Sequence, residues 1–156
     1  MNKFLASLCV FFVCTSLWAG QQTFSMIKPT AVKENHIGGI INQIEQAKLS
    51  VAGLKMHTLS KQQAEEFYAE HKGKPFYPEL VAMMSSGPVV LMVIDGDNAV
   101  LALREIIGST DPKKAAPGTI RANFGKTVTE NAIHASDSPE SANREIAFFF
   151  TKEELR

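Results

Sequence analysis

The sequence predicts an α+β protein in which helices pack over an antiparallel sheet. Apolar stretches and segments with helical spacing follow one another in the order strand, helix, strand, helices, strand, helix, strand, helix. The chain has 156 residues, enough for one hydrophobic core, and after Gly20 it contains no linker, internal repeat or low-complexity segment. We therefore expect one compact domain over residues 20–156.

The domain is predicted to begin with a strand, a helix and a second strand. Residues 23–28 alternate as a strand does, and Pro29 ends the pattern. Isoleucines recur at helical spacing between about residues 36 and 47, which predicts an amphipathic helix. Residues 49–57 then have the pattern of a strand.

The middle of the chain predicts two helices and a buried strand. Ser60 should begin a helix, because Gln63 stands at the third helical position of a capping box. A short helix is expected from about Tyr77 to Met84. The continuous apolar run Val89–Ile94 is typical of a central strand that is covered on both faces.

The last third of the domain contains a long loop between helical segments. A helix predicted for residues 98–107 ends at Gly108. The polar loop over residues 109–118 approaches the length of about 12 residues at which loops are often functional. A helical turn near Arg121, a strand running into Ile133 and a helix over residues 139–149 complete the series.

The charge composition excludes a large electrostatic field. There are 16 basic and 16 acidic residues, so we expect no binding to nucleic acid. Affinity for phosphate must come from a local cluster of cations. No P-loop and no Gly-x-Gly-x-x-Gly sequence follows a predicted strand, so side chains would have to hold the phosphates.

Residues 1–19 have the pattern of a secretory signal peptide. Lys3 supplies a basic start, and the apolar run that follows is shorter than the roughly 20 residues of a membrane-spanning helix. Cys9 and Cys14 both lie in this stretch, so the remainder has no disulfide and no cysteine-based metal site. We expect a periplasmic or secreted protein that touches a membrane only through an uncleaved leader. The alternative is a misassigned start and a cytoplasmic protein.

His134 is the first candidate for a nucleophile. It lies at the end of an apolar segment, among small polar residues, shortly before a helix start at Ser138. A neutral imidazole is nucleophilic near pH 7. Taken alone, a histidine beside serine and aspartate is more often a hydrogen-bonded structural residue.

Six further motifs occur in an order that one family shares. They are Lys28-Pro29-Thr30-Ala31-Val32, Phe67-Tyr68-Ala69-Glu70-His71, Lys74-Pro75-Phe76, Ser86-Gly87-Pro88, Pro117-Gly118-Thr119-Ile120-Arg121 and Glu140-Ser141-Ala142. From about Gln22 to Phe150 the chain resembles nucleoside diphosphate kinase, and the sequence around His134 is specific to that family. The resemblance implies a ferredoxin-like βαββαβ core, with an antiparallel sheet covered by helices.

The resemblance also implies a ping-pong reaction. A nucleoside triphosphate would pass its γ-phosphoryl group to His134, and a nucleoside diphosphate would take it from the phosphohistidine. Glu145 would orient the imidazole, Ser136 would bond Glu145 or the transferred oxygen, and Tyr68 would lie near the γ-phosphate. The implied nucleotide-binding residues are Lys28, Phe76, Arg104, Thr110, Arg121 and Asn131.

Each of these nucleotide contacts has an implied partner on the substrate. The cations and Thr110 would clamp the phosphates, Phe76 would stack on the base, and Lys28 and Asn131 would reach the ribose. Stacking on an aromatic ring does not depend on the hydrogen-bonding groups of the base, so broad base and sugar specificity is expected. Mg²⁺ would arrive on the nucleotide phosphates, with no direct protein ligand. A homo-oligomer, a tetramer or a hexamer, is implied.

Three residues depart from the usual pattern of the family. Ala135 stands where glycine is common, and a positive φ there would cost about 1–2 kcal/mol. Thr30 replaces an acid or amide but can still cap the following turn. Asn123 replaces a common aspartate and removes one charge near the phosphate loop. We expect an active enzyme, and the alternative is an exported nucleotide-binding or host-interaction protein with weak or vestigial catalysis.

Overall fold

The computed structural model describes residues 20–156, so the leader expected over residues 1–19 lies outside the described part of the chain. The strands are β1 (Gln21–Ile27), β2 (Ser50–Thr58), β3 (Pro88–Gly96) and β4 (Ile133–Ala135). The helices are α1 (Pro29–Lys33), α2 (Ile37–Gln46), α3 (Lys61–Phe67), α4 (Tyr77–Met84), α5 (Ala99–Ile107), α6 (Ile120–Phe124) and α7 (Pro139–Phe149). Short 3₁₀ turns occupy Ala69–His71, Pro112–Lys114 and Lys152–Glu154.

The four strands form one sheet in the order β2-β3-β1-β4. Every neighbouring pair is antiparallel, which confirms the predicted α+β class and the ferredoxin-like order. β1 lies inside the sheet between β3 and β4, and its Met26 pairs with His134. The register therefore places His134 on a short edge strand, directly beside an interior strand whose residues 23–27 are buried.

Helices cover both faces of the sheet. Along β3, Val90, Met92 and Ile94 join a core with α2 and α5, as β-strand alternation requires. The intervening residues Val89, Leu91 and Val93 join a second core with α3, α4 and α7. The continuous apolar run in this segment is thus explained by burial on both sides, as predicted.

Local signals fix the ends of the helices that carry the site. Ser60 Oγ accepts a hydrogen bond from Gln63 N at 3.1 Å, and Gln63 Oε1 accepts one from Ser60 N at 3.0 Å, so the predicted capping box is present. Ser138 caps α7 in the same way, by accepting from Ser141 N at 3.1 Å. These caps begin the two helices that place Phe67 and Glu145 next to His134.

One helix was not expected from the sequence. Pro29 ends β1 as predicted, but it also occupies the first turn of α1, where its fixed φ and missing N–H are tolerated. The residue at the N-cap is Lys28, and no side chain makes a capping hydrogen bond there. The expectation that Thr30 caps this turn is therefore wrong. No helix within residues 20–156 is long and apolar enough to cross a membrane.

Candidate active site

A cavity of about 510 Å³ opens beside His134. Its lining includes seven of the residues singled out from the sequence: Lys28, Tyr68, Phe76, Thr110, Arg121, Asn131 and His134. A smaller cavity of about 270 Å³ shares Thr110 and Arg121 with the first and contains Arg104. Glu145 and Ser136 do not line either cavity and lie behind the imidazole.

Aromatic rings surround the imidazole on the α3 and α7 side of the sheet. The centroid of the His134 ring is 5.3 Å from that of Phe67 and 6.0 Å from those of Phe24 and Tyr68. These contacts restrict rotation of the ring and leave one side of it open to the cavity. The imidazole is therefore held in an orientation in which that open side can react with a molecule in the cavity.

A buried carboxylate determines which ring nitrogen is available. Glu145 Oε2 lies 2.8 Å from His134 Nε2 and accepts a hydrogen bond from Ser136 Oγ at 2.7 Å. Glu145 is only 6% exposed. Because an ionised carboxylate can only accept hydrogen bonds, Nε2 carries the proton in this arrangement. The lone pair then lies on Nδ1, which takes no part in the bond.

The backbone bends sharply just before β4. Ile133 N donates to Asn131 O at 2.9 Å, which closes a three-residue γ-turn around Ala132 with φ +69°. The non-glycine residues with positive φ in residues 20–156 are Asn35, Lys48, Asn98 and Ala132. Ala135 is not among them, so the backbone cost considered for its methyl group does not arise.

A buried and a partly buried cation, Lys28 and Arg121, lie at the cavity. Lys28 is 6% exposed and donates from Nζ to Thr129 O at 3.0 Å. Burial, together with the charge of Arg121, lowers the pKa of Lys28 from 10.5 to about 7. Burial and the charge of Arg104 lower the pKa of Arg121 to about 10, so Arg121 stays charged at neutral pH. An incoming anion would relieve this mutual repulsion.

Arg121 is also a structural crosslink. Its Nη1 donates to Gly108 O at 3.1 Å and its Nη2 to Ile133 O at 3.0 Å. The first bond fixes the end of α5, and the second fixes β4 immediately before the histidine. Arg121 thus supplies charge to the cavity and holds two of its walls.

Several buried polar atoms at the cavity lack partners within the described chain. They are Tyr68 Oη, Asn131 Oδ1 and Arg121 Nε. Burial raises the pKa of the Tyr68 hydroxyl, which therefore stays protonated and able to donate. Asn131 is fixed through Nδ2, which donates to Thr110 O at 3.0 Å. Buried polar groups are rarely left unpaired, so these atoms indicate a polar ligand.

His71 lines the cavity, although the sequence predicts no nucleotide-binding role for it. Its ring is 5.6 Å from that of Phe76 and 6.1 Å from that of Tyr68, and its Nδ1 is 3.2 Å from Lys74 Nζ. Burial, and then the charge of Lys74, lowers the pKa of His71. The three-residue spacing from Tyr68 could have revealed it, because residues so spaced share one side of a helical turn.

Asn123 makes contacts that do not need a charge. Its Nδ2 lies 3.4 Å from both Gly118 O and Gln43 Oε1. The amide thus links the end of the 109–118 loop to α2.

No group of three or more histidine, cysteine or acidic side chains in residues 20–156 is arranged to hold a metal ion.

A family model for nucleoside diphosphate kinase matches residues 21–155. The chain belongs to the nucleoside diphosphate kinase family. It is 58% identical over 135 residues to the nucleoside diphosphate kinase of Bdellovibrio bacteriovorus, and the alignment covers 86% of this chain and 96% of that protein. It is 54% identical to nucleoside diphosphate kinase 1 of Protochlamydia amoebophila, and that alignment covers 88% of this chain and 97% of the relative.

Solved nucleoside diphosphate kinase structures have the same fold. The Aquifex aeolicus enzyme superimposes with a TM-score of 0.85 at 45% identity, covering 88% of this chain and all of that one. The Halobacterium salinarum enzyme, solved in complex with CDP, superimposes with a TM-score of 0.85 at 41% identity. The match covers 88% of this chain and 91% of that one. Every residue discussed in the two cavities falls within the range that the kinase family model matches.

Proposed function

We propose that this nucleoside diphosphate kinase transfers phosphoryl groups through Nδ1 of His134. The lone pair on Nδ1 attacks the γ-phosphorus of a nucleoside triphosphate, the bond to the bridging oxygen breaks, and the diphosphate leaves. A terminal oxygen of an acceptor diphosphate then attacks the phosphohistidine, and the P–N bond breaks. The observation that supports this proposal is the bond from Nε2 to Glu145, which leaves Nδ1 unprotonated.

We infer that the cavity's cations hold the phosphates during both half-reactions. Lys28, Arg104 and Arg121 supply positive charge, and Thr110 and the Tyr68 hydroxyl supply hydrogen-bond donors. Phe76, which is 45% exposed at the cavity, offers a flat apolar face for the base. The unpaired Oδ1 of Asn131 suits a ribose hydroxyl. The Halobacterium relative, solved with CDP, supports a nucleotide in this cavity.

We propose that Mg²⁺ enters with the nucleotide. The cavity's lining is cationic and neutral, with no acidic cluster in the described residues, so it fits an ion that is carried by phosphates and water. When bound, Mg²⁺ would neutralise charge on the phosphate oxygens. The protein's own part is to orient the imidazole and to clamp the phosphates.

Labelled ATP tests this function directly. Brief mixing of the purified protein with γ-labelled ATP and Mg²⁺ should give a protein-bound phosphate that is labile in acid and stable in alkali. Addition of an unlabelled nucleoside diphosphate should transfer that label to the corresponding triphosphate. Nucleotide binding without any protein-bound label would instead support the vestigial, binding-only alternative.

Replacement of Glu145 by glutamine should lower kcat by about tenfold with little change in KM. The carboxamide lacks the charge that stabilises the protonated Nε2, and its NH₂ group favours the other tautomer. Steady-state kinetics with ATP and a diphosphate acceptor measure both constants. Glu140→Gln, on the exposed first turn of the same helix, is the matched control and should leave both constants unchanged. A change in KM alone would contradict the orienting role.

We propose that residues 1–19 are a leader that directs export and that residues 20–156 form the kinase domain. N-terminal sequencing of the protein from fractionated cells tests the leader, and a chain in the cytosol that retains Met1 would contradict it.

We further propose a tetramer or hexamer. Leu54 and Met56 are 50% and 60% exposed on the edge strand β2, where a second copy could cover them. Native mass spectrometry measures the number of subunits.

A further inference from the structure

One wall of the cavity is a small turn made by residues 126–130. Lys126 N donates to Glu130 O at 2.9 Å, and Glu130 N donates to Thr127 Oγ1 at 3.0 Å, so the turn is closed on itself. Val128 is 56% exposed, and together with Thr129 it lines the cavity. The position of this 126–130 turn therefore sets the width of the cavity on that side.

Two side-chain contacts attach the turn to the region around α1. The first is the bond from Lys28 Nζ to Thr129 O, made by a cation that the phosphates would also attract. The second is an ion pair between Lys126 Nζ and Glu34 Oε1. Neither Glu34 nor Lys126 lines the cavity. The ion pair can therefore hold the turn whether or not Lys28 is bound to a nucleotide.

Glu34 is itself well placed to act as an anchor. It is the C-cap residue of α1, and its backbone N–H donates to Thr30 O at 3.2 Å. His36 Nε2 lies 3.5 Å from the second carboxylate oxygen, Oε2. The contact with Lys126 lowers the pKa of Glu34, so this carboxylate is charged at neutral pH. The five residues of α1 thus connect Lys28, at the N-cap, to the anchor of the turn.

We propose that the Glu34–Lys126 ion pair is a positioning contact that sets the affinity for the nucleoside part of the substrate. The pair holds Val128 and Thr129 at the cavity that also contains Phe76, the proposed partner of the base. It does not contact His134 or Glu145. The inference rests on the proposed function for the identity of the ligand, but its effect on binding can be measured without turnover.

The test uses single and double charge variants of the full chain. Glu34→Gln and Lys126→Gln should each weaken GDP binding, measured by calorimetry, by about two- to fivefold, the range expected of an exposed ion pair. The KM for GDP should rise by the same factor while kcat stays within twofold. Binding of inorganic pyrophosphate, which has no nucleoside, should not change. The exchanged pair Glu34→Lys with Lys126→Glu should restore GDP binding.

The matched control is Glu154→Gln. Glu154 pairs with Lys55 at 2.6 Å, with side-chain exposures of 39% and 33%, away from the cavity. This variant should bind GDP as the parent does. Unchanged GDP affinity in both single variants, failure of the exchanged pair to restore it, or an equal loss of pyrophosphate binding would each overturn the proposal. Absence of protein-bound phosphate in the parent would overturn the proposed reaction but not this binding role.

Discussion

His134→Ala should abolish phosphoryl transfer, with a loss of about 10⁴-fold or more in kcat/KM, because the variant has no atom that can carry the phosphoryl group. The two cavities should otherwise stay intact, since the hydrogen bonds that hold Lys28 and Arg121 do not involve the imidazole. We therefore expect GDP to bind to the variant with nearly the affinity of the parent. The measurements are a coupled assay, calorimetry and mass spectrometry for the +80 phosphate adduct, about the mass of HPO₃.

His57→Ala provides the control for this result. His57 is on β2, where its Nε2 lies 3.3 Å from Gln63 Oε1, and it does not line the cavity. The control variant should become phosphorylated and turn over as the parent does. Full transfer by His134→Ala, or a phosphate adduct on it with the same chemical stability, would refute the mechanism.

Lys28→Met should change activity and stability in opposite directions. Loss of a buried cation that meets the phosphates should lower kcat/KM by about ten- to hundredfold. The same change removes a charge whose burial is unfavourable, and methionine fills a similar volume. We expect the free energy of unfolding to rise by about 1–2 kcal/mol near pH 6, after allowance for the unpaired Thr129 carbonyl.

The stability gain should depend on pH in a defined direction. The pKa of Lys28 falls from 10.5 to about 7 in the folded protein. Between these values the unfolded chain holds a proton that the folded protein has released, so this group makes the parent more stable as pH rises. The advantage of Lys28→Met should be greatest below pH 7 and should shrink towards pH 10. Urea denaturation at pH 6 and pH 9 measures it, and an equal gain at both values would contradict this account.

The elements of the fold were predictable where one local signal dominated. The capping box at Ser60, the helix end at Gly108 and the doubly buried run along β3 all have short-range causes, and the structure has each of them. The helix α1 was missed because Pro29 both ends a strand and begins a helix, and the sequence pattern shows only the first effect. Most other boundaries agree with the predicted ones to within two residues. The exception is β4, which begins at Ile133, where the predicted strand ends, because the γ-turn around Ala132 occupies the residues before it.

The candidate site was predictable as a set of residues but not as a geometry. The motifs place His134 and its neighbours in the order of the kinase family, yet no spacing says that Nε2 rather than Nδ1 meets Glu145. The family pattern draws attention to the φ of Ala135, but the positive φ near the histidine is at Ala132, because Ile133 N donates to Asn131 O and closes a three-residue turn there. The Glu34–Lys126 pair joins residues that are 92 positions apart, and no local pattern could show it.

The bend at Ala132 limits how this chemistry could be transplanted. β4 has only three residues, so its own pairing with β1 gives the histidine little directional support. Glu145 and the aromatic neighbours orient the ring, whereas the γ-turn before β4 and the bond from Arg121 to the Ile133 carbonyl fix the backbone that carries it. Grafting a histidine and a glutamate onto another sheet would reproduce the reactive pair but not the backbone position that directs the ring. The γ-turn around Ala132 and the side chain of Arg121 would have to be transferred together with the pair.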